Sequence, residues 1–351
     1  MKKRIIGLDI LRDIGVIFIF FYHFFVEYIV TAHGEDVSFL NLNFFFNILA
    51  RPASLFLFII SGYALMYNKE DSLSLGKYYI RRIKSLFIPF YVTYTLMFVI
   101  CFLVNHEAPG KNLPLKLFGW TLIGMDGVKQ ITEANFYLVG EWFMSCIVIC
   151  YLLFPLLAKL LRKFKYITLA VLLIWYVIIL FFYNPFDYTP LMNPLFIIVY
   201  FYLGMFLHET MGEKEISTPI RGITLGLSIL IFVYHMLYGY APALAFLRLN
   251  ASFTEALHFV WSILLFVALR DVNVKEDSGL YKSIIYLSGI SWYIILTHHR
   301  IMILFYSHYD VSDYNHRDMA ALLLACLIST FIDSEVVRKI TIKTKSILFN
   351  K

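Results

Sequence analysis

The stretch Arg4–Val30, RIIGLDILRDIGVIFIFFYHFFVEYIV, is long and apolar, yet it carries Asp9, Arg12, Asp13, His23 and Glu27. About twenty consecutive apolar residues are what a membrane-spanning helix requires. An ionisable side chain inside such a helix costs roughly 2.5–3.5 kcal/mol on insertion scales, so those that persist are tied to function more often than most residues. Arg12 and His23 are eleven residues apart, close to three helical turns. They share one helix face at an axial separation of about 16 Å.

The rest of the chain repeats the pattern. Its 351 residues are 60% hydrophobic and 18% aromatic, with 15% charged and a mean hydropathy of +0.73. A soluble protein of this size could not hide so much apolar surface. The expected fold is all-α, a polytopic membrane bundle. About ten spans are read, near 5–32, 44–67, 86–104, 136–158, 167–183, 195–208, 222–240, 253–270, 284–305 and 317–335. With the N-terminus inside, 22 of the 30 basic residues fall in cytoplasmic segments and five in outer loops, while Arg12, Arg51 and Arg300 lie within spans. This asymmetry predicts both termini in the cytoplasm. It also accounts for the net charge of +6 without a nucleic-acid partner. The KKR start is followed by an apolar stretch too long for a cleavable signal and by no A-x-A site. Cys101, Cys146, Cys150 and Cys326 lie in apolar runs and form neither a disulfide framework nor a zinc spacing. Pro52, Pro89, Pro155 and Pro194 fall in or at the ends of spans, where each frees a carbonyl and can kink its helix. In the outer segment 105–135, a re-entrant or interfacial lid and an ordinary loop fit equally well. No internal repeat, fused second domain or low-complexity segment is read.

Once orientation is assigned, depth follows at 1.5 Å per residue. His23, Arg51, Glu141, His298, His299 and Arg300 all fall toward the outer leaflet, while Arg12 lies near the inner interface. Intramembrane charges tend to face the bundle interior and pair with one another. A structural ion-pair network, or snorkelling to the headgroups, explains Glu141 and Arg300 as well as function does. Only one of the adjacent His298 and His299 can face the core. Glu27, one turn above His23, is placed to orient its imidazole. His235, His258 and Glu255 have no evident partner and are read as structural. The basic run Lys77–Lys84, with Arg81 and Arg82, suits positive-inside topology or a cytosolic phosphate-bearing ligand held by guanidiniums.

Taken in order, these residues resemble the acyltransferase 3 superfamily of bacterial integral-membrane acyltransferases. Gly-Leu-Asp9-Ile-Leu-Arg12 with His23 is similar to its LDxLR start and arginine-x10-histidine spacing. Arg51 followed by PASLFLFIISGYAL, ending in Ser61-Gly62-Tyr63, is similar to its second segment. Tyr79-Ile-Arg81-Arg82 through Pro89 is similar to its basic loop, with Lys84 or Ser85 at the third basic position. Trp142-Phe143 through Tyr151-Leu-Leu-Phe-Pro155 is similar to its fourth span. Where many members carry a glutamate there, this chain has Ile147, and Glu141 lies earlier. Ser288-Gly-Ile-Ser-Trp-Tyr-Ile-Ile-Leu-Thr-His298 is similar to its closing span.

The resemblance implies transfer of an acyl group, usually acetyl from cytosolic acetyl-CoA, to a hydroxyl of a cell-surface glycan or lipid-linked sugar, in the bacterial cytoplasmic membrane. It implies no metal and leaves homo-oligomerisation open. On this reading His23, Arg51, Glu141 and Glu27 are catalytic. Arg12, Arg81, Arg82 and Ser61 bind the donor, and His298, His299, Arg300 and Trp142 bind the acceptor. A glycan or small-molecule transporter using the same charges is the rival reading.

Overall fold

The structure, a computed structural model, describes residues 4–33, 46–130, 132–183, 192–212, 214–240 and 249–349. Among these residues it is helical, without strands. The long helices are α1 (Ile6–His33), α2 (Arg51–Tyr67), α3 (Leu75–Arg82), α4 (Ile88–Asn105), α5 (Glu141–Phe181), α6 (Pro194–Met211), α7 (Thr218–Tyr240), α8 (Ala251–Leu269), α9 (Gly279–Tyr306) and α10 (His316–Phe349). Nine helical segments among the described residues are long and apolar enough to cross a membrane, α3 and α4 joining into one of them.

Pro194 occupies the first turn of α6, where the missing N–H has no partner to lose. Pro52 and Pro89 each lie just after a π turn, Phe46–Ala50 and Ile83–Phe87, inside a longer helical run. Pro155 is interior to α5, but the non-helical residue of that helix is Phe164 (φ −136°, ψ 38°), inside the basic stretch Lys159–Lys165. The expected spans 136–158 and 167–183 are therefore halves of one helical run broken at Phe164. Asn193 caps α6 by accepting from the Leu195 amide at 3.0 Å, and Asn250 caps α8 by accepting from Phe253 at 2.9 Å. The π turn Ile83–Phe87 joins α3 to α4.

The chain divides into two compact units. The first comprises Met1–Tyr22, Asp36–Ser72 and Phe154–Gly289. Its centre is α2, with 14 of 17 residues buried. Glycine is what lets α6 lie against it. A Cβ on Gly204 would stand 1.9 Å from the Ile59 carbonyl oxygen, and one on Gly62 would stand 2.0 Å from that of Phe201. Close backbone approach through small residues is how helices associate where apolar burial gives no preference for protein over lipid. Gly7 repeats the device, its Cβ position 2.1 Å from the Leu269 carbonyl oxygen.

The second unit comprises His23–Glu35, Leu73–Leu153 and Ile290–Lys351. Here α4 packs on α10. Between α4 and α5 the chain forms two short helices, Phe118–Leu122 and Asp126–Lys129, and reaches α5 through Gly140, whose φ of +84° suits a residue without a Cβ. The helices α1, α5 and α9 each contribute residues to both units.

Candidate active site

In the second unit, α1 and α9 bring three imidazoles together. The His23 ring lies 4.5 Å from that of His299 and 5.1 Å from that of His298, centroid to centroid. His298 is 1% exposed and bonds through Nδ1 to its own helix, 2.8 Å from the Ile294 carbonyl oxygen. His299 is about a quarter exposed and places Nε2 2.9 Å from Glu27 Oε1. Both histidines thus border His23, in different roles: His298 is fixed by the backbone and His299 by a carboxylate. Glu27 and His23 are one turn apart on α1, and the hydrogen bond of Glu27 reaches the imidazole that stands beside His23. The Tyr306 hydroxyl, donating to the Phe24 carbonyl at 3.1 Å, ties the two helices at this level.

Arg300 follows on α9. Its Nε donates to the Leu138 carbonyl at 3.2 Å, which sets it against the strand of chain leading into α5. That segment is held by Asn135, whose amide donates to the Asp126 carbonyl at 3.0 Å while its oxygen accepts from the Tyr137 N–H at 2.9 Å. Asp126 is fully buried there, and burial raises its carboxyl to about 6, with the Gly127 N–H at 3.0 Å partly offsetting the effect. Trp142 is buried next to Phe143, which in turn packs near Trp292 at 6.3 Å. The side chain of Glu141 lies outside the described residues. Arg81 is exposed. The Arg82 guanidinium sits over the rings of Tyr78 (5.6 Å) and Tyr151 (5.4 Å), and the Tyr78 hydroxyl donates to the Tyr151 carbonyl at 2.9 Å. Aromatic faces favour a cation so placed.

In the first unit, Arg12 donates through Nη1 to Asp9 at 3.1 Å and to Ser288 Oγ at 2.8 Å, and Ser288 donates to Asp9 at 2.6 Å. Arg4 completes the network with two bonds to Asp9, at 2.6 and 3.0 Å, which raise its pKa. The aspartate of the LDxLR element is therefore the shared acceptor of two arginines and a serine. Arg12 keeps 31% of its side chain exposed. Ser61 lies on α2 beside the Gly62 contact.

In the same unit, Arg51 is ion-paired with Glu255 and is 2% exposed. The two residues read as unpartnered histidines stand nearby on α7 and α8. His235 and His258 stack at 4.9 Å and 5°, Trp261 extends the stack, and His258 Nε2 lies 3.0 Å from the Asn47 carbonyl oxygen. A signal for this was present, since Glu255, His258 and Ser262 follow one another at helical spacing. Ser288 was read only as the start of the closing span; its bonds to Arg12 and Asp9 were missed because serine carries no signature outside its partners.

A chain that is all-helical among the described residues, with nine apolar helices there long enough to span a bilayer, is a multi-pass membrane protein. It belongs to the acyltransferase 3 family: the family model described as an acyltransferase domain matches residues 5–333. No curated protein and no solved structure matches the chain.

Proposed function

We propose that this chain is an O-acetyltransferase that moves acetyl from cytosolic acetyl-CoA to a hydroxyl of a cell-surface glycan or lipid-linked sugar. Membership in an acyltransferase family supports acyl transfer. The observation that carries the site is the His23 imidazole beside His299, itself paired with Glu27. His23 takes the proton of the acceptor hydroxyl as its oxygen attacks the thioester carbonyl. The new C–O bond forms, the C–S bond breaks, and the imidazolium returns the proton to the departing CoA thiolate. The Glu27–His299 pair fixes the orientation of His23 and offsets the charge that the imidazole acquires. On the cytosolic side, Arg12, Arg81 and Arg82 with Ser61 are assigned to the phosphates and arm of the donor. Arg51, held by Glu255, is assigned to the acyl oxyanion or to acceptor positioning.

The test is transfer of labelled acetyl from acetyl-CoA to external glycan in vesicles of defined orientation. His23→Ala is expected to abolish labelling at unchanged membrane abundance. Undiminished labelling in that variant sinks the assignment. Substrate flux without CoA consumption would make the chain a transporter instead.

A further inference from the structure

A cavity of about 420 Å³ in the second unit lies beside the histidine cluster and has no part in the chemistry above. Its walls are the end of α4 with Asn105, the segment following it with Glu107, Lys111 and Asn112, and Tyr137 and Arg300. Tyr137, Leu138 and Arg300 also line a second, smaller hollow that includes His299. The two hollows thus share a wall, and Arg300 stands between the polar cavity and the imidazole that Glu27 holds.

The chemistry of the lining selects a ligand. Amides, a phenol and an open polar rim suit the hydroxyls of a sugar. Arg300 spends its Nε on the Leu138 carbonyl and makes no hydrogen bond through its terminal nitrogens among the described residues. Those nitrogens form the fork that matches a carboxylate or phosphate. Lys111 is a second cation on the rim, bonded at 2.5 Å to Glu107, both exposed. An exposed pair of this kind is worth little and gives way readily to a competing anion. Two cations against one carboxylate leave the cavity net positive.

We infer that this cavity is the acceptor subsite, and that it takes an anionic sugar, with the acid group on Arg300 and the ring hydroxyls on the asparagines. The inference rests on the acyl-transfer reading for the word acceptor, but its binding chemistry does not. A carboxylate from a uronic acid and a phosphate from a sugar phosphate share that chemistry.

The experiment is binding of glucuronate, glucose 1-phosphate and glucose to the full chain in detergent at low salt, by calorimetry. At least one anionic sugar is expected to bind at least tenfold more tightly than glucose, and the tighter of the two identifies the acid group. Arg300→Gln is expected to remove that preference, and Lys111→Gln, on an exposed loop, to reduce it about threefold. Equal binding of glucose and both anions, or no binding of any, overturns the proposal with the unsubstituted protein alone. So does an unchanged preference in Arg300→Gln. Selective anion binding without acetyl transfer would leave the subsite standing and overturn the acyltransferase reading. Acetylation of an uncharged glycan by a protein indifferent to both anionic sugars would do the reverse.

Discussion

At the scale of single residues, the cluster in the second unit behaves as a chain of dependencies from Glu27 to His299 to His23. If the carboxylate acts only by holding the imidazole pair, removing its charge and removing its partner should have the same effect. Glu27→Gln and His299→Gln are each expected to lower the acetylation rate by about 10- to 100-fold, less than a full general-base loss. The double variant should be no slower than the slower single variant, because coupled residues are not additive. Initial rates in membranes of matched protein content decide it. Multiplying losses would show two independent roles. Asp126 offers a readout of a different kind. Its carboxyl is raised from the usual range to about 6 by burial. The folded state therefore favours the protonated form. The stability this contributes is fully present below pH 4 and is lost as pH rises toward 6, by about 3 kcal/mol for a shift near two units. The melting temperature in detergent should fall across that window. Asp126→Asn should flatten the fall, and an identical slope in that variant would remove Asp126 as its source.

At the scale of helices, the glycines explain why part of the family resemblance reads as it does. Gly62 in Ser61-Gly62-Tyr63 and Gly204 in α6 interlock, each where a methyl group would meet the backbone of the other helix. Gly62→Ala and Gly204→Ala are each expected to destabilise by at least about 1–3 kcal/mol, the cost of overpacking when only side chains must move. Gly226 in α7 has open space where its Cβ would stand, so Gly226→Ala should be neutral or slightly stabilising. Melting temperature and monodisperse yield separate the two outcomes. The same helices mark where sequence reading stopped. The extent of each span was legible, because hydropathy and basic loops locate its ends. Rotation about each axis was not. Helices that are apolar nearly all round carry little azimuthal signal, so the ion pair of Arg51 with Glu255 was not legible. His23 with His298 and His299 was legible as a layer, and the bond from Glu27 to His299 rather than to His23 required the packing.

At the scale of the whole molecule, the run Glu141–Phe181 tests how the chain is threaded. Forty-one residues of unbroken helix would extend about 60 Å, twice the roughly 30 Å hydrocarbon core of a bilayer. The departure at Phe164 coincides with four basic residues, Lys159, Arg162, Lys163 and Lys165. A break there lets each half cross once, with the charges at the turning point. The orientation read from the sequence then puts Lys163 in the cytosol and Asn112 outside, and both side chains are exposed. The natural cysteines do not interfere, because Cys101, Cys146, Cys150 and Cys326 are all buried. A membrane-impermeant maleimide applied to intact cells is expected to label Asn112→Cys and to leave Lys163→Cys unlabelled until the membrane is permeabilised. Labelling of Lys163→Cys from outside would place the break on the wrong side. It would also separate the arginines assigned to the donor from the compartment that holds CoA, because their cytosolic placement rests on the same parity of crossings.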